Sequence, residues 1–95
     1  MTEYDAIIKL QGLIKEINAV KKEYDEKYMF NSLSFFRQYM SQHMYPLVEQ
    51  VSPLFSYISE EKLENLQVED IWTGEETIEF SMWMYFFSNW THLSR

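Results

Sequence analysis

Between Thr2 and Met29 apolar residues return every three or four positions: Ala6, Leu10, Leu13, Ile17, Val20 and Tyr24, with Ile7 and Ile14 widening the stripe. That spacing follows one face of a helix. Lys9, Lys15, Glu16, Lys22 and Glu23 fill much of the opposite face. Thr2 suits an N-cap with Asp5 at N3, and Glu3 and Asp5 suit the positive end of a helix dipole. The pattern predicts a long amphipathic helix over 2–29. Its heptad spacing fits packing inside a bundle or a short coiled-coil seam with another chain.

The same period continues through Leu33, Phe36, Met40, Met44, Leu47, Val51, Leu54 and Ile58, but Pro46 and Pro53 fall inside it. Each proline removes a backbone donor and presses on the preceding turn. The expectation is a helix over about 32–44, started by Asn31 or Ser32, then a kinked or restarted helix over about 46–58. Ser52-Pro53 also reads as an N-cap and first-turn pair of a new short helix. Ser59-Glu60-Glu61-Lys62 opens a further short helix ending near Gln67, with Leu63 and Leu66 buried. Val68 to Thr73 reads as a connection, which Ile71 and Trp72 pin to the core.

The last segment, 78–93, is the most apolar: six of its sixteen residues are aromatic and two are Met. Wound at about 100° per residue, it leaves only Ser81, Ser88 and His92 as a polar stripe. Ile78, Met82, Phe86 and Leu93 fall on one side, with Phe80, Trp83, Phe87 and Trp90 beside them. A surface that wide needs partners on several sides. Alternation from Ile78 to Phe86 also fits a strand. Helix is preferred because Thr73-Gly74-Glu75-Glu76 resembles a capping box, with Glu75, Glu76 and Glu79 at the positive end of the dipole. The segment falls short of the ~20 apolar residues of a membrane span. Arg95 is the only base near it, unlike a membrane-surface helix.

These elements define an all-α fold, a compact bundle of four to five helices with the C-terminal aromatic helix central, in one domain over 1–95. Seventeen aromatic residues enlarge the core of a 95-residue chain. There is no Cys, hence no disulfide framework and no thiolate zinc site, and the start Met1-Thr2-Glu3 lacks a signal-peptide pattern. A cytoplasmic location is the resulting expectation. The net charge of −7 is concentrated. Residues 1–58 hold seven acids and six bases, whereas 59–79 hold eight acids and one base, Lys62. Nucleic acid needs a basic footprint, so direct binding to it is not expected. A basic protein partner, drawn in by the field, is. A solvated surface that keeps the chain dispersed is the plain alternative.

Arg37-Gln38-Tyr39-Met40-Ser41-Gln42-His43 resembles the Arg-x(4–6)-His signature of HEPN-type ribonucleases, which are helical. The resemblance implies His43 for proton transfer and Arg37 for phosphate charge. The polar residue that often follows the Arg in that family is missing, and the chain's acidity opposes RNA. Trp72-Thr73-Gly74 spells the W-x-G of the small secreted WXG proteins. It lies late in the chain, and Tyr57-x-x-x-Glu61 precedes it instead of following. Glu61 and Glu64 place two carboxylates on one helix face, but neither His43 nor His92 has a Glu three residues before it, as a di-iron bundle requires. Gly74 fails as an EF-hand glycine because Ile71 falls where an acid is needed. No metal, cofactor or catalytic residue is expected.

The expected function is therefore protein binding: a small acidic stoichiometric inhibitor of a basic or nucleic-acid-handling protein, in the manner of an immunity protein, an antitoxin or a phage-encoded antagonist. Glu60, Glu61, Glu64, Glu69, Asp70, Glu75 and Glu76 would supply charge complementarity, with Trp72 as a desolvated anchor. A homo-oligomeric assembly protein, a homodimer in the simplest case, is the first alternative, and the HEPN-like ribonuclease the second.

Overall fold

The computed structural model describes residues 1–93, Leu93 by its backbone alone. The apolar role expected of Leu93 and the charge of Arg95 lie outside the described residues. The chain is mostly helical, with α1 (Glu3–Lys27), α2 (Leu33–Tyr39), a π-helical turn (Met40–Met44), α3 (Tyr45–Val48), a 3₁₀ segment (Ser52–Tyr57), α4 (Glu60–Glu64) and α5 (Phe80–Leu93). Between α4 and α5 lies a two-stranded antiparallel sheet of β1 (Gln67–Glu69) and β2 (Thr77–Glu79). The all-α expectation is corrected at that point.

The element at the centre is α1 rather than α5. It packs against β1, the 3₁₀ segment, α3 and the π-turn. It buries Ala6, Leu10, Leu13, Ile14, Ile17 and Tyr24. Thr2 caps it through the Asp5 N–H at 3.1 Å, as its sequence implies. Ser32 and Ser59 cap α2 and α4 in the same way.

The prolines explain the broken middle. The Pro46 ring presses on the carbonyl one turn earlier, and its nitrogen has no hydrogen to donate. The chain widens instead, and the Tyr45 N–H reaches back five residues to the Met40 carbonyl. Met40 and Met44 are fully buried inside this turn. After Val51 the chain tightens to 3₁₀, with Pro53 in the first turn.

The predicted helix start at Thr73 is a hairpin loop. Gly74 adopts φ 69°, the left-handed conformation that a side chain would strain. The Asp70 N–H donates to the Glu76 carbonyl at 2.9 Å, and the Phe80 N–H to the Leu66 carbonyl at 2.8 Å. Between these closures the register is Gln67 with Glu79, Val68 with Ile78 and Glu69 with Thr77. Val68 is buried and Ile78 half-buried, while Thr77 and Glu79 are exposed.

From Phe80 the chain turns helical. The buried side of α5 is an aromatic ladder in which Phe80, Trp83 and Phe87 stack at 6.1 and 5.0 Å between centroids. Trp90 meets Tyr24 and Phe36 edge-on at 6.0 and 5.9 Å. Ser81, Ser88 and His92 are exposed, as the expected polar stripe requires, but Met82, Met84 and Tyr85 are exposed with them. Among the described residues no helix is long and apolar enough to cross a membrane.

Candidate protein-interaction surface

Two buried polar side chains of α1 hold the acidic segment in place. Asn18 is 5% exposed and sits on the apolar stripe, four residues after Ile14. Its side-chain amide donates to the Glu69 carbonyl at 3.1 Å and, less closely, to the Glu69 carboxylate and the Asp70 carbonyl. Its oxygen accepts the Trp83 indole N–H at 2.8 Å. One side chain thus joins α1, the end of β1 and α5.

One turn on, Lys21 is 4% exposed. Its ammonium pairs with Asp25 at 2.8 Å. The same Asp25 accepts the Trp90 indole N–H at 2.9 Å. The ammonium also lies 4.5 Å from the centre of the Trp72 ring and 5.6 Å from that of Trp90, a cation–π arrangement. Trp72 roofs Lys21 with one face and remains 60% exposed. Lys21 lies four residues after Ile17 and three before Tyr24. A polar residue in such a position on an apolar stripe is the sequence signal for both Asn18 and Lys21.

The acidic residues form two groups. Glu60, Glu61 and Glu64 are exposed on α4. That helix sits by the start of α1, where Glu3 accepts the Ser59 N–H at 2.8 Å and the Lys62 ammonium at 2.6 Å. Glu69, Asp70, Glu75 and Glu76 lie at the hairpin, beside Asn18. Glu3 and Asn18 are fifteen residues apart on α1, a separation of about 22 Å along the helix. The two groups are thus anchored to different parts of α1.

Within the hairpin the acids divide again by role. Glu69 and Asp70 are half-buried. Asp70 accepts the Trp72 N–H at 2.9 Å and the Thr73 hydroxyl at 3.2 Å, which shapes the loop. Glu69 accepts from Asn18. Glu75 and Glu76 are exposed and point no side-chain bond at another described residue. Lys15 and Lys22 of α1 line the hollows beside this loop and offset part of its charge. Trp72 meets Phe86 edge-on at 6.0 Å, and Phe86 meets Tyr85 at 5.8 Å. An apolar strip therefore runs from the acidic loop onto the exposed side of α5.

The Glu3 carboxyl is held below the ordinary carboxylate range by its hydrogen bond from Lys62, then by the Ser59 N–H. Lys62 is raised in return, chiefly by the same bond. A depressed carboxylate stabilises the fold above its unfolded pKa and loses that contribution as pH falls through the folded value. Glu3→Gln should therefore lessen the loss of thermal stability on acidification. High salt should shrink the difference, because the pair is solvent-exposed. Melting temperatures of both proteins across acidic pH check this.

Arg37 stands on α2 and His43 in the π-turn that follows it. His43 packs on Tyr39 at 4.8 Å and lines a shallow depression with Tyr28, Phe35, Gln38, Tyr39 and Gln42, in whose wall Arg37 takes no part. Among the described residues no three His, Asp or Glu side chains converge as metal ligands. Comparison with protein-family models, with curated proteins and with solved structures finds no significant match.

Proposed function

We propose that this chain is a non-catalytic protein-binding module, a stoichiometric inhibitor that covers a basic surface on its target. The observation that supports the reading is Trp72. It stands 60% exposed on an acidic hairpin that Asn18 ties to the core. Trp is the residue most enriched in binding hot spots, and a pre-organised loop loses little entropy on docking. The strip through Phe86 and Tyr85 extends the contact, and Glu75 and Glu76 flank it with negative charge. Rim charges of this kind act mainly on association rate and on salt dependence.

Glu75 and Glu76 are the clean positions for a test, since reversing Glu69 or Asp70 would also undo the loop. The Glu75→Lys/Glu76→Lys protein should keep its fold and bind the target at least tenfold more weakly at low salt. Its affinity should also vary less with salt than that of the wild type. Titration of the purified target by calorimetry at several salt concentrations reads both effects. Equal affinities at every salt concentration would leave the acidic loop as a solvated surface and remove this reading.

A further inference from the structure

The hairpin has one covered edge and one open edge. The Asp70–Glu76 and Leu66–Phe80 closures fix the phase of the ladder. With this register, Val68 and Ile78 exchange hydrogen bonds, while the backbone groups of residues 67, 69, 77 and 79 point away from the partner strand. On β1, which packs against α1, the outward carbonyls are satisfied: that of Gln67 accepts from the Gln11 side chain at 2.9 Å and that of Glu69 from Asn18. On β2 the Thr77 N–H and C=O and the Glu79 N–H face outward, with no partner among the described residues. Both residues are exposed.

An open strand edge is a template for another strand, and the charge beside it decides which strand fits. A second copy joined antiparallel about Thr77 would bring Glu79 of each copy to the acidic bend, Glu75 and Glu76, of the other. Like charges directly opposite are destabilising. A strand with bases at those places turns the same contacts into opposite-charge pairs. Side chains at alternate positions share a face, so Lys or Arg at every second residue of the added strand would meet Glu79 and, beyond Thr77, the acidic bend of Glu75 and Glu76.

We infer that the outer edge of β2 is a docking site for an extended basic segment of a partner protein, which adds as a third, antiparallel strand. This rests on the basic-partner reading above and states how that partner binds. Main-chain bonds to Thr77 and Glu79 would give the contact its direction, and alternating bases its selectivity.

The probe is a seven-residue peptide of alternating Lys and Thr, Lys at both ends, with blocked termini. In the antiparallel register its lysines lie opposite Thr77 and Glu79, with their backbone N–H groups turned to the edge. Two analogues are compared: one methylated at each lysine backbone nitrogen, the other at each threonine backbone nitrogen. On the protein side, Thr77→Pro removes the outward N–H while sparing the β1–β2 ladder. Circular dichroism establishes that it is folded. Binding is followed by amide NMR shifts at low salt.

The expected result is that the parent and threonine-methylated peptides bind and shift the Thr77 and Glu79 amides. Lysine methylation should weaken binding at least tenfold, and so should Thr77→Pro. Equal binding of all three peptides overturns strand addition and leaves the basic-partner reading standing, because charge alone would then hold the peptide. No binding of the parent peptide at low salt also overturns the edge site. The charge-reversal titration judges the broader reading separately. Should Thr77→Pro fail to fold, the comparison of the two methylated peptides on the wild-type protein still decides.

Discussion

Replacing Asn18 by Ala should destabilise the protein by about 3 kcal/mol, because a buried donor left without its partner costs about 1–3 kcal/mol and further bonds go with it. The Trp83 indole N–H, within the aromatic ladder, loses its acceptor. The Glu69 and Asp70 carbonyls lose their donor as well, though both residues are only half-buried. The main loss is therefore at Trp83. For a domain of this size the melting temperature should fall by about 10–20 °C. Trp83→Phe in the Asn18→Ala background removes the stranded N–H. The double variant should therefore lose less than the sum of the two single changes, which a double-mutant cycle measures. Hydrogen exchange should also quicken at residues 67–70 in Asn18→Ala. An additive cycle would mean that the Asn18–Trp83 bond contributes nothing of its own.

Asp25→Ala should cost about 2–3 kcal/mol, below the ~3–5 kcal/mol of a fully buried pair because the Asp25 side chain keeps contact with water. That side chain is 29% exposed, against 5% for Lys21. The substitution leaves the Lys21 ammonium enclosed by Trp72 and Trp90 without a counter-charge, and it takes the acceptor from the Trp90 indole. The opposite change is expected to be mild. Lys21→Met keeps most of the volume, leaves Asp25 bonded to Trp90, and gives up a cation–π contact of about 1 kcal/mol. Denaturant titrations of Asp25→Ala, Lys21→Met and the pair together check the asymmetry. The double variant should be more stable than Asp25→Ala alone. If Lys21→Met proves the costlier single change, the ammonium is a net stabiliser and its enclosure is not a liability.

Both predictions come from side chains that the sequence hides. The apolar stripe of α1 was legible because it runs from Ala6 to Tyr24, about five turns, with one period, and the caps at Thr2, Ser32 and Ser59 were legible because their chemistry is local. The break near Pro46 was legible too, though not its form, since the chain can answer a proline by kinking, restarting or widening. The sheet was obscured by its brevity. Gln67-Val68-Glu69 and Thr77-Ile78-Glu79 each read polar, apolar, polar, and three residues do not separate a strand from a helix end. Thr73-Gly74-Glu75-Glu76 satisfies the spacing of a helix start, yet Gly74 serves the hairpin through its positive φ. The acidic segment was legible as composition. Its division between α4 and the hairpin follows from contacts with Glu3 and Asn18, fifteen residues apart on α1, which no local pattern encodes.

Trp72 links that architecture to the proposed function, since one of its faces covers Lys21 and much of the rest is open to a partner. The most direct measurement is affinity capture from a lysate of the source organism, with wild type and a folded Trp72→Ala, Glu75→Lys, Glu76→Lys variant side by side, washed at low and high salt. One basic protein is expected on the wild type at low salt, in near one-to-one amount, released at high salt and missing from the variant. The same proteins in the same amounts on both would contradict the proposed function.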